Sequence, residues 1–320
     1  IVMGRVFTIG EALIDFIPLE SKGSLKDVDI FVKMAGGAPA NVAVAASKLG
    51  SESHFIGMVG KDSFGEFLLE RLQAYGVDTS YTFFTNKAKT GVSFVSLGAD
   101  GSRDFSFYGE PRADLLLEGE YIKNLELKED DFVNFGSIDL LPFPVKYATI
   151  SLLEKAKKVG ATVVFDTNVR AHLWEDKKQY RNTILKFIKY SDILKVSDEE
   201  IEFITGQKTI KDGVTFLKSN GANNIIVTLG KNGANAHFGN INIHEPAFRT
   251  NAIDTTGAGD SFVGAVLNNL DTLGKKVEDL SENEVRAMLV FANKVGAITS
   301  SRRGAMDSLP TRNEVMQSNM

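Results

Sequence analysis

Short apolar runs alternate with amphipathic stretches along almost the whole chain. Residues 6–9 form a compact apolar run of strand type. Residues 39–49 predict a helix, with Pro39 suited to the first turn and Gly50 as a stop. Residues 55–59 predict a strand. Ser63-Phe64-Gly65-Glu66 has the spacing of a capping box, and Phe64, Leu68, Leu72 and Tyr75 give the following helix one buried stripe, ended by Gly76. Residues 90–97 and 103–108, rich in Val, Phe and Ser and joined through Ala99-Asp100-Gly101, predict a β-hairpin. Strands at 132–135 and 162–165 then flank a helix over 145–157. A strand at 193–196 leads into a short helix over 197–205, closed by Gly206. Residues 225–229 predict a buried strand, and 234–237 with 241–244 a second hairpin over Phe238-Gly239-Asn240. Helices over 258–273 and 282–300 close the pattern. Repeated strand–helix units predict an α/β fold, a mainly parallel central sheet with helices on both faces. No internal repeat or Pro/Gly/Ser linker divides residues 1–320, so one domain with a small β appendage is expected.

Composition narrows the function more than the fold. Of 320 residues, 43% are apolar and 24% charged, which is ordinary globular usage and excludes wholesale disorder. The absence of cysteine excludes a disulfide framework, thiolate catalysis and cysteine-ligated metal sites. The net charge of −5, without a Lys/Arg block, argues against a nucleic-acid partner. No apolar run approaches the roughly 18 residues of a membrane span, and Ile1-Val2-Met3-Gly4-Arg5 lacks a signal-peptide layout. A cytoplasmic protein is the expectation.

The most informative segment is Asp254-Thr255-Thr256-Gly257-Ala258-Gly259-Asp260. A strand-like run over 251–254 leads into small residues and then an apolar helix. Backbone N–H groups of Gly257, Ala258 and Gly259 at a helix start make an anion-binding nest. Asp260 beside such a nest is either a general base, taking the proton of a hydroxyl that attacks a phosphoryl group, or a helix cap. Gly36-Gly37-Ala38-Pro39-Ala40-Asn41 is either a ligand-approach loop, with Asn41 bonding a polyol, or a plain turn. Asp15, after the first strand, either accepts from two sugar hydroxyls, because ligands of open α/β sheets lie beyond the carboxyl ends of strands, or is a plain loop carboxylate. Arg170, in Asp166-Thr167-Asn168-Val169-Arg170, either neutralises phosphoryl charge or forms a surface ion pair. Ser197 and Glu200 read as a capping box. Thr228-Leu229-Gly230-Lys231-Asn232-Gly233 could lie against a nucleotide or be a hairpin turn. Walker, dinucleotide and protein-kinase motifs are absent, and His54, His172, His237 and His244 do not cluster in sequence.

With these segments in this order, the chain resembles the ribokinase-like (PfkB) carbohydrate kinases over essentially its whole length, and within them the bacterial and plant fructokinases. Gly36-Gly37-Ala38-Pro39-Ala40-Asn41 and Asp254-Thr255-Thr256-Gly257-Ala258-Gly259-Asp260 carry the resemblance, joined by Gly10-Glu11-Ala12-Leu13-Ile14-Asp15, Asp166-Thr167-Asn168-Val169-Arg170 and Ile193-Leu194-Lys195-Val196-Ser197. It implies ATP-dependent phosphorylation of fructose at its primary hydroxyl. Asp260 would be the base, and Gly257, Ala258 and Gly259 the anion hole. Asp15, Gly36, Gly37, Asn41 and Arg170 would hold the sugar, with Phe105 or Phe107 packing on it. Asn168 and Glu200 would position phosphate and hydrated Mg²⁺. Lys195, Thr228, Gly230, Gly233, Thr255 and Asn293 would line the ATP site. Asp254, Thr256, Gly304 and Ser308 match positions that bind K⁺. Residues 12–34 and 90–110 would build a β lid over the sugar, through which two subunits could pair. Ser197 stands where the family has Asn. Arg112, in Gly109-Glu110-Pro111-Arg112-Ala113-Asp114, either replaces a family arginine before the proline or is an ordinary surface residue. Kinases of 2-keto-3-deoxygluconate, ribose and nucleosides share the scaffold, and a catalytically inactive regulatory homologue would keep it too.

Overall fold

The apolar runs are long enough to bury both faces of a sheet, and they do. The computed structural model describes residues 4–19, 24–97 and 103–320; of residues 96–97 and 103–105 it describes the backbone. The strands among the described residues are β1 Arg5–Ile9, β2 Leu13–Pro18, β3 Phe31–Gly36, β4 Glu52–Gly60, β5 Thr82–Thr85, β6 Val92–Leu97, β7 Arg103–Tyr108, β8 Phe132–Gly136, β9 Thr162–Asp166, β10 Ile193–Ser197, β11 Asn224–Thr228, β12 Ala234–Phe238 and β13 Ile241–Glu245. The helices are α1 Ala38–Leu49, α2 Ser63–Ala74, α3 Pro144–Val159, α4 Lys177–Phe187, α5 Asp198–Thr205, α6 Ile210–Ser219, α7 Ala258–Leu273, α8 Glu282–Ser300 and α9 Arg312–Gln317. Nine strands form one sheet in the order β13-β12-β11-β10-β9-β8-β1-β4-β5. It is parallel from β11 to β5, with β12 and β13 antiparallel at one edge. Four strands form a second sheet, β3-β2-β6-β7.

Alternation along the central strands sends successive side chains to opposite faces. Val6, Val164 and Ile193 pack with α1, α7 and α8 on one face. Phe7, Phe165 and Leu194 pack with α3, α4, α5 and α6 on the other. A third apolar cluster joins α1 and α2 to the second sheet through Ile14 and Ala35. The α/β architecture expected from the sequence, a mainly parallel central sheet between helices with a smaller β appendage, is present. Among the described residues, no helix is long and apolar enough to cross a membrane.

Three local expectations are corrected. The cap of α2 is Asp62, not Ser63: Asp62 Oδ1 accepts from Gly65 N at 3.0 Å, and its carboxylate also takes the Thr90 backbone N–H and hydroxyl. The run 251–254 is not a strand. The N–H groups of Ile253 and Asp254 donate instead to Ser300 O at the end of α8. Helices α4, α6 and α9 were not anticipated; Tyr180, Ile184 and Phe187 in α4 do follow helical spacing, but between lysines. The hairpin of β6 and β7 is antiparallel as expected, with Val95 opposite Phe105; its turn, Ala99-Asp100-Gly101, lies outside the described residues.

Candidate active site

The carboxyl ends of β1, β8, β9 and β10 open on one cleft of about 280 Å³, walled on its far side by Leu13, Asp15 and Phe107 of the second sheet. Two helices begin at its floor. Both start on glycine with a positive φ, Gly37 at +105° for α1 and Gly257 at +77° for α7, a conformation that glycine adopts without steric cost. Glycine at the N-cap leaves neither helix a capping side chain of its own, and no hydrogen bond caps α7 from its first turn.

That observation decides the reading of Asp260. It lies in the first turn of α7, but its carboxylate does not cap the helix. Instead Asn41 Nδ2, in the first turn of α1, donates to Asp260 Oδ2 at 2.7 Å. Burial pushes the Asp260 carboxyl up to about 6, against the hydrogen bond from Asn41; the charge of Asp166 raises it, and those of Lys195 and Arg170 lower it. A carboxylate of that acidity in a cleft is suited to accept a proton near neutral pH. Gly257 and Gly259 also line the cleft, while the Ala258 N–H donates to Thr255 O at 3.2 Å.

Other expected residues converge on the same space. Asp15 is buried, and Ser93 Oγ donates to its Oδ1. A Cβ on Gly36 would stand 2.1 Å from Asp15 Oδ2, so a larger residue there would displace the Asp15 carboxylate. Asn168, Arg170, Lys195, Thr255 and Thr256 line the cleft. Asn168 has φ +37°, a left-handed conformation that asparagine tolerates better than most residues. Glu200 fixes this segment: its carboxylate accepts from Thr167 Oγ1 at 2.9 Å, from the Val169 N–H, and from Ser197 N at 2.7 Å. The capping box of α5 is therefore present, and it extends into the loop after β9.

The remaining expected residues lie outside the cleft lining. Thr228 ends β11, and Gly230 and Gly233 flank the turn that follows. Asn293 Nδ2 donates to Glu245 O and Pro246 O. The buried Asp254 carboxylate accepts from Thr256 N at 2.8 Å and Gly304 N at 3.2 Å, tying together two loops; Ser308 is buried in the second. Among the described residues, no group of three or more His, Cys, Asp or Glu could hold a metal ion. The side chain of Phe105 lies outside the described residues, and Phe107 is the β7 aromatic that lines the cleft. Arg112 is not a surface residue: it is buried, its Nη2 3.0 Å from Asp114 Oδ2, since the segment after β7 folds inward against Gly91.

Sequence reasoning assigned no role to Glu11 or Asp166. Glu11 lines the cleft directly after β1; its Oε1 accepts from Ala38 N at 2.9 Å, and its buried Oε2 has no hydrogen-bond partner. Burial pushes its carboxyl up to about 7. Burial and the Glu11 charge hold Asp139 well above the usual carboxylate range. A carboxylate closing an apolar strand was the available signal for both Glu11 and Asp166.

The sequence pattern of pfkB family carbohydrate kinases matches residues 3–312. The chain belongs to that family. It is 42% identical over 315 residues to a probable fructokinase-2 of Arabidopsis thaliana, covering 98% of this chain and 95% of that protein. A double mutant of the Vibrio cholerae O395 fructokinase, solved with fructose, ADP and potassium ion, superimposes with a TM-score of 0.88 at 30% identity, covering 98% of this chain and 97% of that one. The aminoimidazole riboside kinase of Salmonella enterica, complexed with aminoimidazole riboside and an ATP analogue, gives 0.86 at 28% identity, covering 98% and 99%. The chain is thus a phosphotransferase of the carbohydrate kinase type.

Proposed function

We propose that the chain is an ATP-dependent fructokinase. The fructose 6-hydroxyl oxygen forms a bond to the γ-phosphorus, the bond to the β–γ bridging oxygen breaks, and ADP leaves with that electron pair. The hydroxyl proton passes to Asp260. The observation that carries this is the Asp260 carboxylate, uncoupled from helix capping and held by Asn41 at the mouth of the α7 N-terminus. Unpartnered buried acceptors, Asn41 Oδ1 and Glu11 Oε2, suit the hydroxyl donors of a polyol. The likeness to plant and Vibrio fructokinases supports fructose as that polyol.

In this reading Asp15, Gly36, Gly37, Asn41 and Arg170 hold the sugar, and Gly257, Ala258 and Gly259 cradle the transferring group. Asn168, Lys195, Thr228, Gly230, Gly233, Thr255 and Asn293 follow the nucleotide. Asn168 and Glu200 would help position hydrated Mg²⁺, which would neutralise phosphate charge. Asp254, Thr256, Gly304 and Ser308 would hold K⁺, whose charge would steady the loop leading into α7. Residues 1–320 act as one kinase domain, with the β3-β2-β6-β7 sheet as a lid that excludes water. Exposed Val32 and Tyr108 on that sheet support pairing of two subunits. The second reading, a riboside kinase, rests on the nearly equal superposition with the Salmonella enterica enzyme.

ADP release with Mg-ATP and K⁺ is the test, across fructose, 2-keto-3-deoxygluconate, ribose, glucose and adenosine, with Asp260→Ala alongside. Fructose-dependent release, lost in the variant, is expected. Preference for ribose or adenosine overturns the fructose assignment, and turnover unchanged in Asp260→Ala overturns the base. Replacing K⁺ with Li⁺ lowers the rate; an equal rate removes the cation site.

A further inference from the structure

A single peptide group stands between Glu11 and the start of α1. Its N–H, that of Ala38, donates to Glu11 Oε1 at 2.9 Å. Its carbonyl, that of Gly37, accepts from Asn41 N at 2.8 Å. The Asn41 side chain in turn donates to Asp260 Oδ2 at 2.7 Å. These hydrogen bonds run unbroken from the residues just after β1 to the first turn of α7. The backbone is pressed into place at the same point: a Cβ on Gly37 would stand 2.4 Å from Glu11 O and 2.9 Å from Ala12 Cα. Glu11 is buried, and a buried carboxyl group carries a desolvation cost. Helix α1 does not need it in order to form, since the first N–H groups of a helix are ordinarily met by water or by a residue adjacent in sequence. A carboxyl group 27 residues distant therefore serves the placement of this helix start rather than its existence.

We propose that Glu11 is a positioning residue, which holds the Gly37–Ala38 peptide so that Asn41 aims the Asp260 carboxylate into the cleft. The inference rests on the kinase reading above. An N–H donor bound to a carboxylate makes a shorter and stronger hydrogen bond than one bound to a neutral oxygen, so glutamate suits the task. Asp139, in the turn after β8, lies against the same backbone: a Cβ on Gly10 would stand 2.4 Å from its Oδ1. Burial and the Glu11 charge hold the proton on Asp139, so of the two it is Glu11 that bears charge toward α1. From the segment after β7, Asp114 opposes that charge and Arg112 favours it. At the far end, Asp166 raises the Asp260 carboxyl, while the Asn41 hydrogen bond, Lys195 and Arg170 lower it. Loosening Asn41 therefore raises the Asp260 carboxyl, and any residue that acts through Asn41 leaves the same mark.

The pH dependence of kcat/KM for the sugar that the wild type phosphorylates tests this in Glu11→Met, Glu11→Gln, Glu11→Asp, Asn41→Ala and the double variant Glu11→Met/Asn41→Ala. Methionine fills the volume of Glu11 but offers the Ala38 N–H only a weak acceptor. Glu11→Met lowers kcat about tenfold, and its acid limb moves to higher pH, as it does in Asn41→Ala. The double variant moves no further than Asn41→Ala alone, because both changes break one chain of contacts. Glu11→Gln keeps a carbonyl oxygen for the Ala38 N–H, so it recovers most of kcat and holds the limb near its wild-type place. Glu11→Asp, one methylene short of Ala38, carries the same shift should Glu11→Met fail to fold. A purely structural role lowers the yield of folded enzyme and leaves the limb where it is. An acid limb at the wild-type position in Glu11→Met and Glu11→Asp overturns the proposal; so do additive shifts in the double variant, or a Glu11→Gln limb displaced as far as that of Glu11→Met. Wild-type protein without sugar-dependent ADP release removes the kinase reading, and this inference with it; normal wild-type turnover with unmoved variants removes this inference alone.

Discussion

Helices α1 and α7 approach so closely at Gly264 that a single methyl group there should separate them. A Cβ on Gly264 would stand 2.5 Å from Ala45 Cβ and 3.1 Å from both Ala46 N and Val42 O. Carbon–carbon contacts are most favourable at about 3.5–4.0 Å, so Gly264→Ala requires a local parting of about 1 Å or more. The contact lies one helical turn beyond Asp260, and Val42 adjoins Asn41, so the parting acts on the Asn41–Asp260 hydrogen bond. That bond is 2.7 Å long; stretched by about 1 Å it passes the range of a real hydrogen bond. Overpacking costs about 1–3 kcal/mol, and the helix propensity gained returns about 1 kcal/mol. Net stability therefore falls by about 0–2 kcal/mol. A base displaced by about 1 Å can lose up to ~100-fold in rate. Turnover should drop far more than stability. Urea unfolding and steady-state kcat on the same preparations measure both. Ala45→Gly/Gly264→Ala moves the methyl-sized volume from one helix to the other and should restore kcat. A Gly264→Ala enzyme with kcat within about twofold of wild type refutes the reasoning, as does a double variant no better than the single one.

Three further outcomes follow from the buried charges. Asp260 must be ionised to accept a proton, and its carboxyl sits at about 6; kcat/KM should fall as pH drops through that value, to about one-tenth of its plateau at about pH 5, and an acid limb near 4 in the pH–rate profile contradicts the assignment. Arg112→Met leaves the Asp114 carboxylate buried and uncompensated, so urea unfolding at neutral pH should show a loss of about 3–5 kcal/mol; a loss under about 1 kcal/mol excludes a buried pair. Glu11 has its carboxyl raised from 4.5 to about 7 in the folded protein, so the folded state holds the proton more tightly. Its stabilising effect is complete below 4.5 and is lost as pH rises through 7. Glu11→Gln should flatten that decline in unfolding experiments between mildly acidic and mildly alkaline pH, and an unchanged slope rejects it.

Much of the fold was legible because the central strands are short apolar runs bounded by glycine, and because α7 and α8 keep helical spacing to their ends. What escaped depended on contacts distant in sequence. Residues 251–254 have the composition of a strand, yet no partner strand lies beside them, and their N–H groups turn to Ser300. Ser63 has the right spacing for a cap, yet Asp62 makes the bond because its carboxylate also reaches Thr90. Arg112 reads as a surface charge until the segment after β7 folds inward over Gly91 and pairs it with Asp114.

The ambiguity at Asp260 has the same origin and the greatest consequence. Aspartate in the first turn of a helix is an ordinary cap, and nothing within the segment Gly257-Ala258-Gly259-Asp260 distinguishes that role from a base. The distinction comes from Asn41, 219 residues earlier, which draws the carboxylate away from the helix start and into the cleft. It comes also from Asp166 and Lys195, which reach the same point from two neighbouring strands. A cap needs only its own helix. A base needs a second helix to aim it and nearby charge to set its acidity, and those requirements bring together α1, α7, β9 and β10. The glycines at 36, 37, 257 and 264 let the backbone and helices come close enough for this to happen: at three of them a Cβ would stand within 2.5 Å of another group, and at Gly257 the φ of +77° excludes most side chains.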